Sequence, residues 1–178
     1  MEQAVIIGAG PCGLSAALEL RQKNIDPLII EKGCIVNSVY HYPTNMHFFS
    51  TPELLEIGGY PFMTQHEKPT RQEALNYYRT VAARSGLRIR TYEEVKNVRP
   101  ANGGFVLETL DRWGKAREIQ AKKVIIATGY FDNPNELNVP GEQLDKVSHY
   151  FKEAHPYQGM KVAVIGGKNS AVEAAMEL

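Results

Sequence analysis

Val5-Ile6-Ile7-Gly8-Ala9-Gly10-Pro11-Cys12-Gly13 decides the fold: an apolar run breaks into glycines spaced G-x-G-x-x-G, and a helical pattern follows with Leu14, Ala17, Leu18 and Leu20 on one face. The spacing predicts a strand, a tight turn and a helix whose N-terminus receives a nucleotide. Gly8 permits the turn, Gly10 lets the backbone approach a pyrophosphate and Gly13 lets the helix pack closely on the strand, while the first helical amides point free N–H groups at the phosphates. Working outward, Pro27-Leu28-Ile29-Ile30 reads as a second strand. It ends on Glu31, about 20 residues beyond the glycines, where a carboxylate accepts from both ribose hydroxyls of an adenosine. A glycine turn with no ligand is the other reading, and the run of strand, helix, strand and acid disfavours it.

Periodicity is then lost from Cys34 to Pro61. Long irregular segments in compact domains tend to be functional. Tyr40-His41-Tyr42-Pro43-Thr44-Asn45-Met46-His47-Phe48-Phe49-Ser50 mixes flat aromatic surfaces with short hydrogen-bonding groups, which suits a planar heteroaromatic ligand; a loop folded over its own aromatic core is the alternative. Neither His41 nor His47 has a partner that the sequence can name. Thr70 to Ser85 reads as a helix, with Thr70 as cap, Glu73 completing a capping box, and Ala74, Leu75, Tyr78 and Val81 on the buried face; Gly86 ends it. Leu87-Arg88-Ile89-Arg90-Thr91 can join the parallel sheet beside the first two strands. Val95 to Val98, Phe105 to Leu110 and Ala116 to Gln120, separated by turn-forming residues, then form an antiparallel meander inserted in the parallel unit.

Lys122-Lys123-Val124-Ile125-Ile126 returns as a buried strand ending on the small-residue turn Ala127-Thr128-Gly129. A breaker-rich crossing segment, Asp132 to Gly141, marks a boundary between residues 1–135 and 136–178. The opening grammar then repeats: strand Val162-Ala163-Val164-Ile165, turn Gly166-Gly167-Lys168-Asn169-Ser170-Ala171, helix Val172 to Leu178. Two such motifs on one chain imply two nucleotides brought together. Lys168 stands at the third motif position, where it crowds the backbone approach and adds a cation beside the phosphates.

Composition bounds the rest. Twenty basic residues balance twenty acidic ones, which supplies no basic stripe for nucleic acid and favours a small-molecule partner. No run of about 18 apolar residues exists, so no membrane span is expected, and the first strand starts too near Met1 for a signal peptide; the expected location is cytoplasmic. Cys12 and Cys34 are far apart, with no C-x-x-C and no metal-ligand grouping.

These motifs resemble the flavoproteins with two dinucleotide-binding domains: thioredoxin reductases, their relatives and the flavin-containing monooxygenases. The carriers are Gly8 to Gly13 with Glu31, the turn Ala127-Thr128-Gly129, and the turn at Gly166. Cysteine inside the first glycine motif, the segment His41 to Ser50, and Gly166-Gly167-Lys168-Asn169-Ser170-Ala171 narrow the resemblance to the thioredoxin-reductase-like bacillithiol-disulfide reductases of low-GC Gram-positive bacteria. The resemblance covers the whole chain, matched to the N-terminal half or so of such proteins. It implies a Rossmann-type FAD-binding domain over 1–135 and, over 136–178, a crossing segment with the start of a second, NADPH-binding Rossmann-type domain. It also implies hydride transfer through FAD to a low-molecular-weight disulfide, and a homo-oligomer when full length.

Residue by residue, the resemblance assigns FAD to Gly8, Gly10, Pro11, Cys12, Gly13, Glu31, Lys32 and Ala127-Thr128-Gly129, with the adenine near Val95 and the isoalloxazine near Tyr42 and Asn45. NADPH falls to Gly166, Gly167, Lys168, Asn169 and Ser170. The dithiol C-x-x-C of true thioredoxin reductases is missing. Two further classes stay open: a flavin monooxygenase-like enzyme, which Thr44-Asn45 and the run Pro140 to Gly167 also resemble, and a nucleotide-binding module without chemistry. Cys12 lies in the first helical turn, a position from which reactive thiols operate. It is either a small packed residue or the thiol through which electrons reach a disulfide.

Overall fold

The computed structural model describes residues 1–178. Four parallel strands form its central sheet: β1 (Val5–Ile7), β2 (Leu28–Glu31), β3 (Arg88–Thr91) and β7 (Val124–Ile126), in the order β3-β2-β1-β7. An antiparallel meander of β4 (Glu93–Ala101), β5 (Gly104–Asp111) and β6 (Ala116–Ala121) is inserted before β7, as the turn signals require. The apolar runs of β1 and β2 are short and continuous because these two central strands are buried on both faces, whereas β3 and β7 are the outer strands and are more exposed. Alternation along β1 and β2 separates two cores. Ile6 and Ile29 face helices α1 (Pro11–Gln22) and α4 (Arg71–Ser85), packing with Leu14, Ala17, Tyr78 and Val81. Val5, Leu28 and Ile30 face the meander, packing with Leu107, Ile119 and Ala121.

Helix α4 follows its predicted bounds and ends on Gly86 in the left-handed conformation at φ +64°. Ala74, Tyr78 and Val81 are buried as expected; Tyr77 and Ala82 join them, and Leu75 is half-exposed. Tyr77 and Tyr78 pin the irregular segment down onto the helix through Tyr60 and Leu55 carbonyls at 2.7 and 3.0 Å. That segment contains two short helices, α2 (Asn37–His41) and α3 (Pro52–Leu55).

The capping box is present: Thr70 Oγ1 accepts from the Glu73 amide at 3.2 Å, and the Thr70 amide donates to Glu73 Oε2 at 2.8 Å. Burial pushes the Glu73 carboxyl up, but the Thr70 amide, Thr64 and Thr70 hydroxyls and His66 oppose it and hold it down at about 2. A carboxyl lowered on folding stabilises above its unfolded value of about 4.3, and that contribution is lost as pH falls toward the folded value. Glu73→Gln is therefore expected to destabilise by about 1–3 kcal/mol at neutral pH, with the gap in urea midpoint between variant and wild type closing as pH approaches about 2.

Two expectations fail. The run Lys122 to Ile126 reads as a buried strand, yet β7 is an outer strand with a neighbour on one side only, so Val124 and Ile125 are half-buried and Ile126 is 74% exposed. Val162–Ile165 reads as a strand, yet it pairs with none and its side chains are exposed. A β-branched run supplies tendency only; a strand also needs a neighbouring backbone, and within 136–178 the chain is irregular apart from a 3-10 turn at His155–Tyr157 and helix α5 (Asn169–Glu177). Helix α5 itself begins three residues before the predicted Val172.

Candidate functional site

The C-terminal edge of a parallel sheet is where ligands bind in this architecture, and the structure gathers most of the predicted residues there. Gly8 has φ +106°, and a Cβ on it would stand 2.4 Å from the Ala127 carbonyl oxygen. The glycine turn and the Ala127-Thr128-Gly129 turn are thus in backbone contact. On Gly13 a Cβ would meet the Gly8 carbonyl oxygen at 2.0 Å, which is the close helix-to-turn approach that the motif predicts. Gly10 is different: it caps α1 with ordinary extended φ and ψ, and a Cβ there would meet nothing within 4 Å. Its missing side chain leaves room above the helix end.

Pro11 occupies the first helical position and has no N–H to satisfy. The amides of Cys12 and Gly13 donate to no acceptor in the chain, and no side chain caps them. These are free donors at the positive end of a helix dipole, the requirement for a phosphate. Glu31, 6% exposed, ends β2 with Oε2 accepting from the Ala9 amide at 2.7 Å and Oε1 from the Gly33 amide at 2.8 Å. Each carboxylate oxygen keeps a lone pair for a ribose hydroxyl. The room, the free amides and the anchored acid fit an adenosine diphosphate moiety such as FAD carries.

The remaining predicted residues are less uniform. The Lys32 ammonium is hydrogen-bonded to the Asp132 carboxylate, which raises its pKa and ties the end of β2 to the crossing segment. Tyr42 is half-buried with its ring 5.0 Å from Phe131 and 6.3 Å from Phe48, so the aromatic loop does lie against the chain leaving Gly129. Burial pushes its hydroxyl pKa up. The Asn45 side-chain amide donates to Glu177 of α5 at 3.1 Å. Val95 turns its side chain into the core between the two sheets, next to a bulge between Val95 and Asn97. Phe131 and Tyr150, 5.0 Å apart, extend the aromatic surface and were not foreseen; an aromatic two residues after the small-residue turn was the available signal.

At the second turn Gly166 has φ +137° and Gly167 opens on free space. Lys168 caps α5, its carbonyl accepting from the Ala171 and Val172 amides, while the Asn169 and Ser170 amides have no acceptor. This end is exposed; residues 136–178 are linked to the first half elsewhere, by the Asn45–Glu177 bond at the far end of α5 and by the Thr44 amide on the Lys152 carbonyl at 2.8 Å.

The two thiols differ. Cys12, second residue of α1, is exposed, whereas Cys34 is half-buried with its sulfur 3.5 Å from Asn37 Oδ1, and burial pushes its pKa up. Within residues 1–178 the Cys12 sulfur therefore lies outside both cores.

Fold and site together define a dinucleotide-binding α/β protein. A model of the pyridine nucleotide-disulphide oxidoreductase family matches residues 5–178, and the chain belongs to that family. It is 53% identical over 178 residues to the bacilliredoxin reductase Bdr of Bacillus subtilis (strain 168), covering 99% of this chain and 53% of that protein. Among solved structures, the bacillithiol disulfide reductase Bdr from Bacillus cereus is similar at 53% identity and TM-score 0.97, over 99% of this chain and 54% of that one. A flavin monooxygenase mutant from Stenotrophomonas maltophilia is similar at 27% identity and TM-score 0.83, over 99% and 54%. The chain spans about half the length of the curated relatives it matches. No helix is long and apolar enough to cross a membrane.

Proposed function

We propose that residues 1–135 bind FAD, that 136–178 begin an NADPH-binding unit, and that the whole protein passes hydride from NADPH to a low-molecular-weight disulfide of the bacillithiol type. The carrying observation is the turn in which Gly10 leaves room, the Cys12 and Gly13 amides are free, and buried Glu31 is fixed beside them. Similarity to Bdr proteins supports the disulfide as substrate. FAD, when bound, supplies a two-electron relay between the nicotinamide and the thiol chemistry. Gly8, Gly10 and Gly13 shape the pyrophosphate cradle, Pro11 presets the helix start, and Glu31 accepts from the ribose. Lys32 closes the edge through Asp132, and Thr128 and Gly129 border the cradle through Ala127. Tyr42 and Asn45 stand on the loop nearest the crossing segment. Gly166, Gly167, Lys168, Asn169 and Ser170 offer the second pyrophosphate two free amides and an ammonium.

Cys12 is the nucleophile. Its thiolate attacks one sulfur of the disulfide, the new S–S bond forms, and the other half leaves as a thiolate that takes a proton. Two electrons from NADPH and a second proton then cleave the mixed disulfide, for a net conversion of NADPH, H⁺ and RSSR into NADP⁺ and two RSH. Glu31→Ala in the full-length protein is expected to weaken FAD binding by about 1–3 kcal/mol, read by flavin titration; unchanged occupancy removes Glu31 from the site.

The similarity to a flavin monooxygenase over nearly the whole chain supports a second reading, oxygen-consuming NADPH oxidation. Oxygen uptake measured beside disulfide-dependent NADPH oxidation separates the two.

A further inference from the structure

Four residues other than glycine adopt a positive φ, and two of them, Asn24 and Asn138, are asparagines, which tolerate the left-handed region. The other two are Val36 at φ +51° and Tyr92 at φ +56°. A β-branched or bulky aromatic residue rarely takes this conformation, and it persists only where the surrounding structure holds it. Val36 is buried in the turn that opens α2, and Tyr92 stands between β3 and β4. The two are far apart in sequence, yet their backbones make the same kind of link to one side chain.

The Val36 amide donates to the Ala9 carbonyl at 3.0 Å, and the Ala9 amide donates to Glu31 Oε2 at 2.7 Å. The Tyr92 amide donates to the Gly33 carbonyl at 3.1 Å, and the Gly33 amide donates to Glu31 Oε1 at 2.8 Å. Each strained residue thus holds the carbonyl of the residue whose own N–H meets one oxygen of Glu31. Both links are braced from behind. The Val36 side chain belongs to the core that contains Ile6 and Leu14. On the other side, the Arg112 amide donates to the Tyr92 carbonyl at 3.0 Å, and a Cβ on Gly33 would stand 2.3 Å from Asn37 Oδ1, so the Gly33 turn has no slack toward α2.

We propose that Val36 and Tyr92 are positioning residues of the first nucleotide site: their left-handed backbones fix Ala9 and Gly33, and through them the plane of the Glu31 carboxylate, before a nucleotide arrives. This rests on the reading that Glu31 accepts from the ribose. A glutamate free to rotate loses side-chain freedom when it binds, and a site that has already fixed it binds more tightly. With an amide on each oxygen the carboxylate cannot turn, so its remaining lone pairs keep one direction, toward which a vicinal diol presents two donors. The backbone strain at Val36 and Tyr92 is then part of how the site is prepared.

The test is FAD titration of full-length apoprotein in a double-mutant cycle with Glu31→Ala. Tyr92→Pro removes the N–H and forces φ negative, and is expected to raise the Kd about ten-fold, within the coupling found inside one hydrogen-bond network. On the Glu31→Ala background the same substitution should shift the Kd by less than about two-fold, because nothing is left to position, whereas a purely structural role would add its full effect. Tyr92→Gly keeps the N–H and takes the left-handed backbone without strain, so it should recover most of the affinity. Tyr92→Val keeps the N–H but resists a positive φ; it should weaken binding and carries the cycle if the proline variant does not fold. Val36→Pro goes through the same cycle with the same expectation. An additive result at either position makes that residue structural and overturns its role. Tyr92→Gly binding as poorly as Tyr92→Pro would assign the effect to the ring and overturn the proposal. If Glu31→Ala weakens FAD while Tyr92→Pro and Tyr92→Val bind as wild type, the proposal falls and the Glu31 reading stands. If Glu31→Ala itself binds as wild type, both fall.

Discussion

Gly13→Ala is expected to destabilise the fold by about 3 kcal/mol, the upper end of the usual cost of overpacking, because the added methyl would meet the Gly8 carbonyl oxygen at 2.0 Å. Backbone on both sides leaves nothing flexible to yield. Either α1 moves off the turn or Gly8 gives way, and Gly8 already rests against the Ala127 carbonyl. At that size of loss, the melting temperature of the full-length protein should fall by about 4–5 °C, with flavin lost on purification. Gly10→Ala is the control that gives this result its meaning. Its Cβ meets no protein atom and its backbone is in an ordinary region, so the melting temperature of the apoprotein should hold while FAD affinity drops. If both variants leave flavin binding intact, the turn is structural and not a cradle. If Gly10→Ala alone destabilises the apoprotein, the open space above the helix end has another role.

The contrast between those two glycines was legible in the sequence, because each motif position answers a local steric demand: φ > 0 at Gly8, contact at Gly13, approach at Gly10. Local demands of the same kind made the Thr70–Glu73 box, the Gly86 stop and the meander readable, since each depends on residues only a few positions apart. What escaped was decided across the chain. Glu31 appears in the sequence as a ribose acceptor, but its anchoring to the Ala9 and Gly33 amides depends on how two turns meet. The Tyr42–Phe131 contact and the Asn45–Glu177 bond join residues 89 and 132 apart, and no periodicity encodes them. Val162–Ile165 failed for the complementary reason. Its composition is that of a buried strand, but strand formation belongs to a pair, and no pairing segment lies beside it.

Cys12→Ala should leave flavin content at the wild-type level and lower disulfide-dependent NADPH oxidation by on the order of 100-fold or more, the low end of what loss of a reacting side chain removes. The retained flavin follows from geometry. Cys12 contributes to the cradle through its backbone amide, which alanine keeps, and its exposed sulfur fills no core space. The lost activity follows from the proposed role of Cys12 as nucleophile; Cys34, the other thiol within residues 1–178, is half-buried, engaged with Asn37 and pushed up in pKa by burial. The Cys12 sulfur stands at the N-terminal end of α1. A thiolate attacking a disulfide spreads its negative charge over the departing sulfur, so the same helix terminus also stabilises the transition state. Rapid quench with excess disulfide should then trap a Cys12 mixed disulfide, seen by mass spectrometry as one added half-substrate on the peptide containing Cys12. Retained flavin together with full disulfide reductase activity in Cys12→Ala would sink the role, and would leave the sulfur as an exposed bystander at a helix end whose work is done by amides alone.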